Sequence, residues 1–105
     1  MYTHLKDSNG NWVERDDVWI WHIRENGELM KGRLTIGYTP YGGTSHFGPE
    51  LQIGHVLGDY YDEQVLLIKT AWGGSALYLQ EGNSFHPPSS DGPTGNRYTQ
   101  MLKEV

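Results

Sequence analysis

Cysteine is absent from the chain. Its absence rules out disulfides, thiolate metal sites and a cysteine nucleophile, and leaves the redox compartment open. Basic residues are scarce too: 8 Lys and Arg stand against 13 Asp and Glu, a formal net charge of −5. A nucleic-acid or anionic-membrane surface needs a basic patch, so neither partner is expected. No apolar run approaches the ~18 residues of a membrane span. Met1-Tyr2-Thr3-His4 is not a basic start followed by an apolar run, so no signal peptide is expected and a cytoplasmic location is the default. Hydrophobic residues make up only 36% and glycine is frequent at 14, but 4 Trp and 7 Tyr offer large areas to bury. At 105 residues, one small domain covering 1–105 is expected.

The first third reads as β structure. Val18-Trp19-Ile20-Trp21-His22-Ile23 is a β-branched and aromatic run that suits a pleated surface. Asn26-Gly27 supplies a turn, and Arg33-Leu34-Thr35-Ile36-Gly37 alternates with period two as a returning antiparallel strand. Trp12-Val13 follows a turn at Asn9-Gly10-Asn11 and starts a short strand, giving a ribbon of two or three strands. Trp19 and Trp21 share one strand face, expected to be core, with stacking on sugar rings as the alternative.

After the loop "YTPYGGTSHF", Gly48-Pro49-Glu50 fits a helix start, with Pro in the first turn and an acid near the positive end of the dipole. Ile53, Val56, Leu57, Tyr60 and Tyr61 recur at helical steps. Gly54 and Gly58 cost an isolated helix stability, which makes sense if another element packs against their bare face. Val65-Leu66-Leu67-Ile68 reads as a parallel-type strand buried on both faces. Gly73-Gly74 follows it, where open α/β sheets put their chemistry. A Pro/Ser/Gly loop, "GNSFHPPSSDGPTGN", is too long for a plain connection. A second helix begins at Tyr98, with Met101, Leu102 and Val105 on its side.

Ordered blocks in this chain resemble a known family. "GPELQIGHVLGDYYDEQVLLIKTAWGGSAL", "PPSSDGPTGNRYTQMLKEV", and upstream "WVERDDVWIWH" and "LTIGY" resemble the interior of sialic-acid-specific acetylesterase-like carbohydrate esterases of the SGNH hydrolase superfamily. The resemblance runs from about Trp12 onward. It implies an α/β/α sandwich that removes acetyl groups from sugars. Family members carry their serine nucleophile in a Gly-Gln-Ser-Asn type motif and their base in an Asp-x-x-His motif, and neither occurs here. The resemblance puts Gly48 at an oxyanion-hole position and Trp72-Gly73-Gly74 at the border of the site. Ser75 stands where relatives often carry a basic residue, and His86 near where they often carry Arg.

Other constellations could stand in for the missing blocks. Asp7-Ser8-Asn9 superficially matches a nucleophile motif but runs into Gly10 with no strand before it, so a solvent turn is expected. Ser45-His46 are adjacent, and neighbours on an extended chain point to opposite sides. Ser75 with His55 or His86 has the right chemistry only if folding joins them. His4, His22, His46, His55 and His86 lack metal-ligand spacing, and "GGTS" (42–45) lacks the lysine of a phosphate loop, so no metal and no cofactor are expected. Asp59, Asp62 and Glu63 read as a solvated acidic end.

These residues predict a reduced α/β (or α+β) fold, a truncated SGNH-like sheet. Its parts are an aromatic β-ribbon, one buried parallel-type strand and two helices. The strand 65–68 must pair with the ribbon or with another copy, so a homo-oligomer or a partner chain is in view. The expected function is that of a shortened acetylesterase relative without autonomous catalysis that binds a carbohydrate, an O-acetylated sugar or a partner. The alternative is an ester hydrolase with a rewired Ser–His site, or one completed by another chain.

Overall fold

A computed structural model describes residues 2–40, 43–78, 82–90 and 92–105. The chain divides into two compact units, Met1–Lys69 and Thr70–Val105, each described by itself.

The first unit is an α/β arrangement on a three-stranded sheet of order β2-β1-β3. Strand β1 (Arg15–Ile23) is the aromatic run. It turns at Asn26-Gly27, where Gly27 has a φ of 83° that suits glycine. Strand β2 (Leu29–Leu34) returns antiparallel, pairing Trp19 with Arg33 and Trp21 with Lys31. It starts earlier than the period-two run at Arg33 suggests, because the tight turn sets the register. Helix α1 (Pro49–Tyr60) follows, with Gly48 as its N-cap. Strand β3 (Val65–Lys69) then lies parallel to β1, with Val18 opposite Val65 and His22 opposite Lys69. Parallel neighbours need a crossover, and α1, packed against β1 and β3, lies within it. Trp12-Val13 forms no strand: Trp12 only makes an isolated bridge with Lys6.

Alternation along β1 decides what is inside. Val18, Ile20 and His22 are buried and join Leu5, Leu34 and Leu51 beneath α1. The helix meets them with Leu51, Gly54 and His55. A Cβ on Gly54 would collide with Leu34 Cδ2, and one on Gly58 would come 2.6 Å from Val18 Cγ2. The two glycines are therefore the contact face, as expected. Ile53, Val56 and Tyr60 face outward and are exposed. The helical periodicity of large apolar residues thus marks the solvent face, because bare glycines let the helix sit closer than side chains could.

Two burial expectations are corrected. Strand β3 is an edge strand, and it is not buried on both faces: Leu66 is 58% exposed and Ile68 36%. The Trp19–Trp21 face is not core either, since Trp19 is 43% exposed and no helix of this unit lies on that side. The core forms on one side of the sheet because the unit has only one helix to cover it.

In the second unit, helix α2 (Asn96–Glu104) starts two residues before the pattern at Tyr98 suggests. The loop before it is tied to that helix start. Asn96 Oδ1 accepts from Ser84 N at 2.9 Å, Ser84 O accepts from Arg97 N at 2.9 Å, and His86 O accepts from Gly95 N at 2.8 Å. Ser84, 1% exposed, donates its hydroxyl to Tyr78 O at 2.7 Å. Trp72 is buried, stacked on Phe85 at 5.8 Å between centroids, with the Arg97 guanidinium 5.1 Å from its ring. Among the described residues no helix is long and apolar enough to cross a membrane.

Candidate functional site

The concave surface of the first unit lies where the chain enters α1. Phe47 is its centre, in ring contact with Tyr2 at 5.4 Å and Trp12 at 5.0 Å between centroids. The Lys6 ammonium sits 4.7 Å from the Trp12 ring, a cation–π contact. Two grooves share Tyr2 and Phe47. One, of about 420 Å³, is completed by His4, Leu5, Gly48, Pro49 and Gln52. The other, of about 350 Å³, is completed by Thr3, Lys6 and Trp12. His4 Nε2–H donates to the Gln52 amide oxygen, fixing the two polar groups on one groove wall. Aromatic surface with a few placed polar groups is the usual make-up of a small-molecule site.

A third concavity shares His4 and is polar. It holds about 500 Å³, with Arg15, Asp17, His55 and Asp59 among its lining residues. Arg15 binds Asp17 through two bonds, Nε–Oδ1 at 2.8 Å and Nη2–Oδ2 at 2.6 Å. It also reaches Asp59 Oδ1 at 2.6 Å and the His55 carbonyl at 3.3 Å, tying the start of β1 to the end of α1. The Asp17 carboxyl is held below its ordinary range by this bidentate bond. His55 is 6% exposed, its Nε2 has no hydrogen-bond partner, and burial followed by the Arg15 charge lowers its pKa. The imidazole is therefore neutral at pH 7.

Gly48 lines the first groove at the N-cap of α1. Its N–H donates to Glu50 Oε1 at 3.1 Å, and that carboxylate pairs with Lys69 Nζ at 2.7 Å. Lys69 Nζ also donates to Tyr38 O at 2.6 Å. The amide that an oxyanion hole needs is thus committed to a half-buried carboxylate. A carboxylate at that spot repels an anion rather than stabilising one.

Ser45 and His46 lie on an exposed loop and share no hydrogen bond; His46 Nδ1 is 3.3 Å from Gly43 O. Gly42 of the "GGTS" stretch lies outside the described residues. In the second unit, Gly73-Gly74 forms a turn and Ser75 Oγ donates to Gly73 O at 3.4 Å. His86 is half-buried with Nδ1 unpartnered and makes no hydrogen bond with Ser75. Asp7-Ser8-Asn9 is a turn, as expected: Asp7 Oδ1 accepts from the amides of Asn9 and Asn11, each at 2.9 Å. Among the described residues no group of three or more His, Asp or Glu could hold a metal, and no serine lines the three cavities.

Nothing in the sequence singles out Tyr2, Phe47 or Gln52, and His4 stands out there only as one of five scattered histidines. Tyr2, His4, Phe47 and Gln52 are brought together by the 3-10 turn at Thr3–Leu5, whose Leu5 is buried in the core, and no spacing announces that. No protein-family model matches this chain, and neither a curated protein nor a solved structure matches it.

Proposed function

We propose that this chain is an acetylesterase-like α/β unit that binds a carbohydrate without hydrolysing it, through the aromatic groove at the start of α1. The observation that carries this reading is Phe47 held between Tyr2 and Trp12 at the mouth of a groove that also presents His4 and Gln52. Flat aromatic faces suit the C–H faces of a sugar ring, and an imidazole and an amide suit its hydroxyls. The grooves, about 420 and 350 Å³, lie in the range of small-ligand sites.

Absence of catalysis follows from what an acyl transfer requires. A serine needs a base within hydrogen-bond reach, and the developing oxyanion needs free donors. Ser45 and Ser75 have no histidine ring as partner within their own units, and the Gly48 amide is engaged by Glu50. The resemblance of the blocks around Gly48 and Trp72 to carbohydrate acetylesterases supports O-acetylated sugars as the ligand class.

The test is hydrolysis of p-nitrophenyl acetate and of an acetylated sugar, with Ser75→Ala and His46→Ala variants alongside, and calorimetric titration of the same sugar. Binding without turnover above buffer is expected. Turnover abolished by one of these substitutions would replace this reading with that of an ester hydrolase using a rewired Ser–His site.

A further inference from the structure

We propose that the bare face of the sheet is covered by helix α1 of a second copy of this chain, in a head-to-tail contact. The face is built from cross-strand rows. Trp19 lies beside Leu66 of β3 and Arg33 of β2, and Trp21 beside Ile68 and Lys31. Trp19, Leu66 and Ile68 are 43%, 58% and 36% exposed, a contiguous apolar patch of the kind that marks an interface. Its β2 side is basic. Among the described residues Lys31 has no ion-pair partner, and Arg33 pairs with Glu14, at 3.6 Å between exposed side chains.

The outer side of α1 has the complementary character. Ile53, Val56 and Tyr60 are 50%, 55% and 77% exposed and fall on one helix stripe. Asp62 and Glu63 follow, exposed and without an ion pair among the described residues, at the negative end of the helix dipole. The stripe from Ile53 to Tyr60 is about 10 Å long by helical rise. Trp19 to Trp21, or Leu66 to Ile68, spans about 7 Å along a strand. The helix stripe therefore covers both rows, with its acidic end free to meet Lys31 and Arg33. Direct sheet-to-sheet pairing would leave these opposite charges unmatched.

The two patches lie on opposite sides of the unit, because α1 covers the Val18–Ile20 side and the patch is the Trp19–Trp21 side. Two copies therefore cannot satisfy each other reciprocally. The contact is heterologous, and it builds a row or a ring rather than a closed two-fold dimer.

The experiment is sedimentation velocity on the wild type, on Trp19→Glu (sheet face blocked), on Val56→Glu (helix stripe blocked), and on the two variants mixed. Leu66→Glu and Ile53→Glu serve as a second pair, and circular dichroism checks that each variant folds. The wild type is expected to grow beyond a dimer with concentration, each variant to remain a monomer, and the mixture to form a one-to-one heterodimer. Lys31→Glu with Arg33→Glu should weaken assembly at least about fivefold, and Asp62→Lys with Glu63→Lys on the partner should restore it. A wild type that stays monomeric, a mixture that stays monomeric, or a Val56→Glu variant that assembles like the wild type would each overturn the proposal.

Discussion

Gly54 backs directly onto Leu34: the helix approaches β2's last residue so closely that no Cβ fits between them. Leu34 is fully buried and cannot swing aside. Gly54→Ala should therefore destabilise the first unit by about 1–3 kcal/mol through overpacking, despite a gain of about 1 kcal/mol in helix propensity. Leu34→Ala is costly in the core by itself. Combined with Gly54→Ala, the total loss should be smaller than the sum of the two single losses, because the clash is relieved. Chemical denaturation of the single and double variants measures this, and a more stable Gly54→Ala protein would show that the helix is not held by close approach.

The half-buried pair Lys69–Glu50 makes a second prediction. Both side chains are 12% exposed, and Glu50 also accepts from the Gly48 amide. Lys69→Met strands a carboxylate in the interior and should cost about 3 kcal/mol. Adding Glu50→Gln should return most of that. Equal loss in the single and double variants would mean that the charge is not what matters there.

Protonation of His55 sets a pH window. Its folded-state pKa lies below the ordinary value of 6.5, so the unfolded chain takes up the proton first as pH falls. Its contribution to stability is therefore complete above about pH 6.5 and declines as the solution becomes more acidic. Asp17, lowered by Arg15, loses its contribution only below its ordinary 3.8. Melting temperatures between pH 7 and 5 should fall for the wild type and flatten in His55→Gln. An unchanged slope in the variant would assign the window to another group.

In the second unit the loop before α2 should be as ordered as the helix, because Asn96, Gly95 and Ser84 knit them together. Asn96→Ala should leave Ser84 N without its side-chain acceptor and increase proteolysis between residues 82 and 90. Cleavage at the wild-type rate would show that the backbone bonds from Gly95 and Arg97 suffice.

Much of the α/β fold is legible in the sequence, for physical reasons that can be named. The apolar run Val65-Leu66-Leu67-Ile68 and the β-branched and aromatic run Val18–Ile23 mark strands, and Gly48-Pro49-Glu50 marks where α1 begins. The glycines Gly54 and Gly58 announce close packing because their cost needs a reason. Which side of α1 is buried is not legible from large residues, since Ile53, Val56 and Tyr60 lie outside. The groove is less legible still. Tyr2, Trp12 and Phe47 are far apart in the chain, and only the tertiary fold places their rings around one groove.

The central claim is that the Phe47 groove holds an O-acetylated sugar and leaves its acetyl group intact. The measurement that tests it most directly is a proton–nitrogen correlation titration with an O-acetylated methyl glycoside, following the ligand's acetyl methyl signal in the same tube. Shifts concentrated at Tyr2, Trp12, Phe47, Gly48 and Gln52, lost in Phe47→Ala, with the acetyl signal unchanged, are the expected result. Shifts elsewhere, or none at all, would contradict the groove; free acetate appearing with time would contradict the absence of catalysis.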